Sequence, residues 1–159
     1  LFRRIEWKAL PYLEKMLLST DKTVLAAASS TVGDIRFLDE DLFGDKLSEL
    51  STHPEIIVRR NLVAHLRNYI TIFPNDERGI FSTLWLDGDE VLAIRLRELL
   101  LRLEEVNTEC FALVIKRIYS KNSSSLQPLW DVLDVRRGER TIHWKKYLDE
   151  GGKLPEPNY

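Results

Sequence analysis

One cysteine, Cys110, stands in 159 residues. No disulfide can close within the chain, and a cysteine-rich zinc site is excluded. A lone thiol fits a reducing compartment, and the expected location is cytoplasmic or nuclear. Long apolar runs are missing too: no stretch approaches the ~20 residues that span a bilayer, so no membrane partner is expected. Neither sign of charge dominates. There are 23 basic and 25 acidic side chains for a net charge of -2, which is not the balance of a chain built to neutralise phosphates. Glycine and proline are sparse, at 7 and 6, and no stretch alternates apolar and polar residues long enough for a strand. The chain opens on Leu1 with no basic-then-apolar leader, and this start reads as the cut edge of a longer protein or a processed end rather than a signal.

What is present is a period. Leu13, Leu47, Phe81 and Ile115 stand 34 residues apart, as do Met16, Leu50, Leu84 and Ile118. Two further columns run in the same frame, Val24/Val58/Leu92/Leu126 and Ala28/Leu62/Leu96/Trp130. Val32/Leu66/Leu100 and Ile35/Tyr69/Leu103 hold for three units and fail in the fourth, where Asp134 and Arg137 fall. One apolar column is ordinary by composition, but four in one frame are a repeat.

Inside each unit the spacing is helical. Val58, Leu62, Leu66 and Tyr69 lie on one face of a 3.6-residue period, and the first helices carry i, i+3 pairs such as Leu47/Leu50. Turn residues separate the helices: Ser19-Thr20-Asp21, Ser51-Thr52-His53-Pro54, Asp87-Gly88-Asp89 and Asn122-Ser123-Ser124. Pro54 suits a first helical turn, and the acidic run Asp39-Glu40-Asp41 suits a positive helix start. The expected helices are 4–19, 22–36, 40–51, 54–71, 76–86, 89–106, 108–121 and 124–135. The expected fold is all-α, with one repeat domain over 1–150 (units about 4–37, 38–72, 73–106 and 107–137, then a capping tail). Residues 151–159 are expected to form an extended end.

The stretch from Val24 to Ile35, with alanines at its centre and Gly33 near its end, resembles the second helix of a HEAT repeat. His53-Pro54 ahead of Val58-Arg59 and Leu66, and Asp89-Glu90-Val91 with the leucines after it, are looser matches. The Arg of the family pattern is present only as Arg59, with Leu25 and Leu92 elsewhere. A period of 34 is also that of tetratricopeptide repeats, whose signature aromatics are not in register here. The resemblance implies an α-solenoid of about four helical hairpins, a non-catalytic scaffold that grips a protein partner, or neighbouring domains of the same chain, with its second-helix face.

The residues expected on that face are Ala26, Ser30 and Gly33, then Arg60, Ala64 and Arg67, then Ile94, Glu98 and Leu101, and finally Pro128, Val132 and Val135. The candidate partner-binding set is Arg60, Ala64, Arg67, Ile94, Glu98, Leu101, Val132 and Val135. The apolar end of this face is either covered within the protein or receives an apolar partner helix or strand. An alternative reading is a nucleic-acid-associated module. Its candidates are Arg59, Arg60 and Arg67 together with Trp130, Arg136, Arg137, Arg140, Trp144, Lys145 and Lys146, since cations plus aromatic faces suit phosphates and unstacked bases. Against it, the arginines can pair with Glu55, Glu98, Glu104 and Glu105, and the tail can serve as an end cap whose tryptophans pack.

No catalytic constellation appears. His53, His65 and His143 lack metal-ligand spacing with carboxylates or with Cys110. Cys110 opens the apolar run Cys-Phe-Ala-Leu-Val-Ile and reads as core. Gly33, Gly44, Gly79 and Gly88 form no phosphate loop. No enzyme activity, metal or cofactor is expected.

Overall fold

The computed structural model describes residues 6–135 and 142–152. Among these every element is helical. The α-helices are α1 (Leu10–Leu17), α2 (Lys22–Thr31), α3 (Glu40–Leu50), α4 (Ile56–Ile72), α5 (Ile80–Trp85), α6 (Glu90–Val106), α7 (Thr108–Lys121), α8 (Gln127–Val135) and α9 (Trp144–Asp149). Short 3-10 turns cover Trp7–Ala9, Val32–Phe37 and Ser123–Leu126. None of the helices is long and apolar enough to cross a membrane among the described residues. The chain forms two compact units, Leu1–Leu96 and Arg97–Tyr159. The division falls inside α6 rather than at a linker.

The 34-residue period is a period of burial. Leu47, Phe81 and Ile115 are fully enclosed, as are Leu50, Leu84 and Ile118, and Val58, Leu92 and Leu126. Ala28, Leu62, Leu96 and Trp130 are all core. The first unit departs from the pattern. Met16 stays 38% exposed and Leu17 takes the buried position beside Leu13.

Within the first compact unit, α1 packs on α2, α3 on α4, and α2 on α4. Side-chain caps set the helix starts. Asp21 accepts the Thr23 and Val24 N–H groups, Asp39 that of Leu42, and Asp89 that of Leu92. Several expected boundaries move, each for a local reason. The α-helix of residues 22–36 ends at Thr31, because Ser29, Ser30 and Thr31 turn their hydroxyls back onto the carbonyls of Leu25, Ala26 and Ala28, a competition that loosens a helix. The helix expected from 54 starts at Ile56, because the Arg59 guanidinium holds the His53 and Pro54 carbonyls outside it, at 2.6 and 3.2 Å. The helix expected from 76 starts at Ile80, because Asp76 and Gly79 take positive φ of 43° and 66°. The first helix begins at Leu10 after its 3-10 turn, with Pro11 in its first turn. Positions 4 and 5 of the expected helix lie outside the described residues.

Close approach fixes two glycines. A Cβ on Gly33 would sit 2.5 Å from His65 Nδ1, whereas one on Gly44 would meet only the tip of the Arg78 guanidinium, at 2.6 Å. The ring of His65 is wedged between backbone and core and cannot withdraw; a guanidinium on its long stem can. Gly33→Ala is therefore expected to destabilise by about 1–3 kcal/mol, as overpacked cores do. Gly44→Ala is expected to lie near zero or to gain up to about 1 kcal/mol of helix propensity. Urea unfolding of the two variants checks this, and equal costs would sink the distinction.

His65 itself is enclosed between α4 and α2. Its Nε2 lies 2.8 Å from the Ser29 carbonyl, and the Asp34 and Arg36 charges stand nearby. Burial first, and the Arg36 charge second, hold its pKa below the ordinary 6.5. The unfolded chain thus binds the proton more readily than the native one. Stability is complete above pH 6.5 and drains as pH falls through 6.5 towards the lowered native value. His65→Gln is expected to flatten this acid limb in denaturation curves. An unchanged limb would place the proton elsewhere.

In the second compact unit, α7 and α8 are joined by the turn at Ser123–Leu126, which interrupts the helix expected from 124. Asn107 caps α7 by accepting the Cys110 N–H at 3.1 Å, and Cys110 is buried as expected. Where a capping tail is expected, α9 forms. Its buried Trp144, Tyr147 and Leu148 repeat the spacing of Phe111, Val114 and Ile115 in α7, 33 positions earlier. Two glycines follow it: the Gly151 and Gly152 N–H groups return to the Leu148 and Tyr147 carbonyls at 3.1 and 2.8 Å. Residues 153–159 of the expected extended end lie outside the described residues.

Candidate functional site

The outward sides of the second helices carry the candidate surface. In the first unit Ser30 on α2, Ala64 and Arg67 on α4, and Ile94 on α6 are exposed, Ile94 by 43%. Ala26 and Arg60 are half-buried. Gly33 is not on this surface at all: it is buried against His65, because the 3-10 turn after Thr31 rotates it inward. In the second unit Glu98, Pro128 and Val135 are exposed, Val135 by 87%, while Leu101 and Val132 are half-buried.

Of the three central arginines among the nucleic-acid candidates, two are held in ion pairs. The Arg60 guanidinium grips Asp89 in a two-pronged pair at 2.9 and 2.8 Å. That grip, with the Leu92 N–H, holds the Asp89 carboxyl at about 2, below the usual range. Arg59 pairs with Asp87 at 2.6 Å while also holding two carbonyls. Two neighbouring arginines thus tie the start of α4 to the turn before α6. Neither pairs with Glu55, the partner that a within-helix spacing suggests for Arg59. The pairing runs 28 and 29 positions along the chain, which no i±4 rule reaches. Of the three central arginines, only Arg67 keeps its side chain in solvent.

Trp130 and Trp144 are core residues, Trp144 only 3% exposed. The Trp144 ring meets Phe111 edge-on at 4.9 Å and Tyr147 at 5.3 Å, and its Nε1–H donates to Glu104 Oε1 at 3.1 Å. Both indoles are almost wholly enclosed by their neighbours. Lys145 and Lys146 are exposed, and Lys146 lies 3.8 Å from Glu150. Arg136, Arg137 and Arg140 lie outside the described residues.

An open groove of about 590 Å³ between α8 and α9 has Trp130, Leu133, Trp144, Lys145 and Asp149 among its lining residues. A shallower one of about 220 Å³ lies by Phe37, Asn68 and Ile72, where the Arg36 guanidinium rests 4.2 Å over the Phe37 ring. No group of three or more histidine, cysteine, aspartate or glutamate side chains that would hold a metal ion occurs among the described residues.

Comparison with protein-family models, with curated proteins and with solved structures finds no match.

Proposed function

We propose that this chain is a HEAT-like helical-repeat scaffold without catalytic activity. Its partner is a protein, held along the outward sides of the second helices. The observation that carries the reading is the chemistry left in solvent there: Ala64, Arg67 and Ile94 in one compact unit, Val135 in the other. Helices whose only task is to close a core present charged outer sides. These also present Ala64 and Ile94, with Arg67 meeting no carboxylate among the described residues, a pattern suited to a partner helix or strand. Photo-crosslinkers placed at positions 64 and 94 are expected to yield a discrete protein adduct that Arg67→Glu removes. A crosslinker at exposed Glu49 on α3 is the control. Equal labelling at all three positions overturns the reading.

The nucleic-acid alternative loses its stacking platform with Trp130 and Trp144 in the core, and most of its central cations to Asp87 and Asp89. Binding to single- or double-stranded DNA or RNA at physiological salt is expected to be weaker than about 10⁻⁴ M, the loose end of non-specific affinity. A tighter complex with a steep salt slope would restore it.

A further inference from the structure

The seam between the first two hairpins shows which side chains one repeat presents to the next. From the first hairpin Glu14 meets Lys46 at 3.5 Å. The Ala26 carbonyl and the Ser29 hydroxyl accept from Asn61 at 3.3 and 2.9 Å, and Gly33 accommodates His65. Lys46, Asn61 and His65 are thus the contacts the second hairpin offers backwards. One period earlier, the same places on the first hairpin hold Tyr12, Ala27 and Thr31. All three are exposed, Tyr12 by 72%.

The buried columns give the same answer independently. Leu50 and Val58 are enclosed, but their equivalents Met16 and Val24 are respectively exposed and half-buried. The helical wheel places Tyr12 and Met16 on the side of α1 away from Glu14, with Leu13 and Leu17 buried between. This flank therefore continues an interface the protein already makes once, and nothing in it is charged. Its border is basic: Lys8 and Lys15 lie one turn either side of Tyr12 and make no ion pair with any described residue.

We propose that the α1–α2 flank is a stacking surface for one further helical hairpin of the same kind, an inference that rests on the helical-repeat reading. The chemistry of the occupant follows from the seam. It brings small residues to the second-helix side, as Ala26, Ser29 and Gly33 do, and a carboxylate to the first-helix side, as Glu14 does. That carboxylate faces the Tyr12 hydroxyl and Lys8. A second copy of this chain docked flank to flank would oppose lysine to lysine, which charge disfavours.

The probe is the chain's own hairpin. Residues 5–38 are duplicated in tandem, so that the added copy precedes the original in the 34-residue register. In a stack each added repeat contributes its own stability plus a neighbour term. The duplicated protein is expected to gain helical signal and to melt at least about 4 °C higher. Tyr12→Glu with Met16→Glu in the receiving copy, or Ala27→Lys alone, is expected to abolish the rise. The same changes in the parent chain are expected to shift its Tm by less than about 2 °C, as exposed positions do. An added hairpin that stays unfolded, or a rise that survives both sets of substitutions, overturns the proposal. Either failure leaves the second-helix reading untouched, since that reading uses other side chains.

Discussion

Replacing Asp76 by alanine is expected to cost about 3–5 kcal/mol, a third or more of what a domain of this size has to lose. The carboxylate is 1% exposed. It accepts the Tyr69 hydroxyl at 2.7 Å, and the Ile80 and Phe81 N–H groups at 3.0 and 3.2 Å. One side chain thus starts α5, whose first N–H groups have no carbonyl to reach, and anchors the largest fully buried ring of α4. Alanine leaves three buried donors to be desolvated without an acceptor, and each such loss costs about 1–3 kcal/mol. Asparagine tolerates the positive φ of 43° at this position and keeps one carbonyl oxygen, so Asp76→Asn is expected to fall between alanine and wild type. Tyr69→Phe deletes a single donor and is expected to cost only about 1–2 kcal/mol.

Burial first, and Asp76 second, push the Tyr69 phenol well above its ordinary 10. The native phenol keeps its proton where the unfolded one would lose it. The contribution is complete below pH 10 and fades only as pH rises past that value towards the raised native one. Urea unfolding followed by helical signal tests the series. Asp76→Ala within about 1 kcal/mol of wild type would sink it.

The second large effect is expected at Trp144. A helix of six residues has almost no stability of its own. What holds α9 is the Trp144 indole, edge-on to Phe111, together with the 2.7 Å bond from the Tyr119 hydroxyl to Asp149 at its far end. Trp144→Ala is expected to cost about 3–5 kcal/mol, in line with other buried aromatics. The loss is expected to appear first as local opening: amides of 144–149 exchange early while α7 stays protected. Trp144→Phe keeps the ring contacts and loses the bond to Glu104, for about 1–2 kcal/mol. Retained protection across α9 in the alanine variant would show that another contact holds it.

Much of the fold was legible because a helix with one buried side leaves a periodic trace. Leu47, Phe81 and Ile115 could be assigned to the core from spacing alone, and all three are buried. The caps Asp21, Asp39 and Asp89 were readable for a similar reason: they act within three residues of themselves. Met16 shows the limit of such a column. Its register equals that of Leu50, but burial needs a neighbour as well as a position.

The candidate surface was less legible. Glu98 and Val135 come out exposed as a helical wheel predicts, whereas Gly33 turns inward because three hydroxyls end its helix early. α9 was missed because its echo of α7 is one residue out of frame and only three residues long. The helical spacing and the lack of any strand pattern determined an all-helical chain, for both follow from local periodicity and composition. Only the tertiary structure decided that Arg59 and Arg60 close on Asp87 and Asp89, that the tryptophans serve the core, and that His65 sits over Gly33. Those contacts join residues some thirty positions apart, where side-chain reach and packing, not local preference, choose the partner.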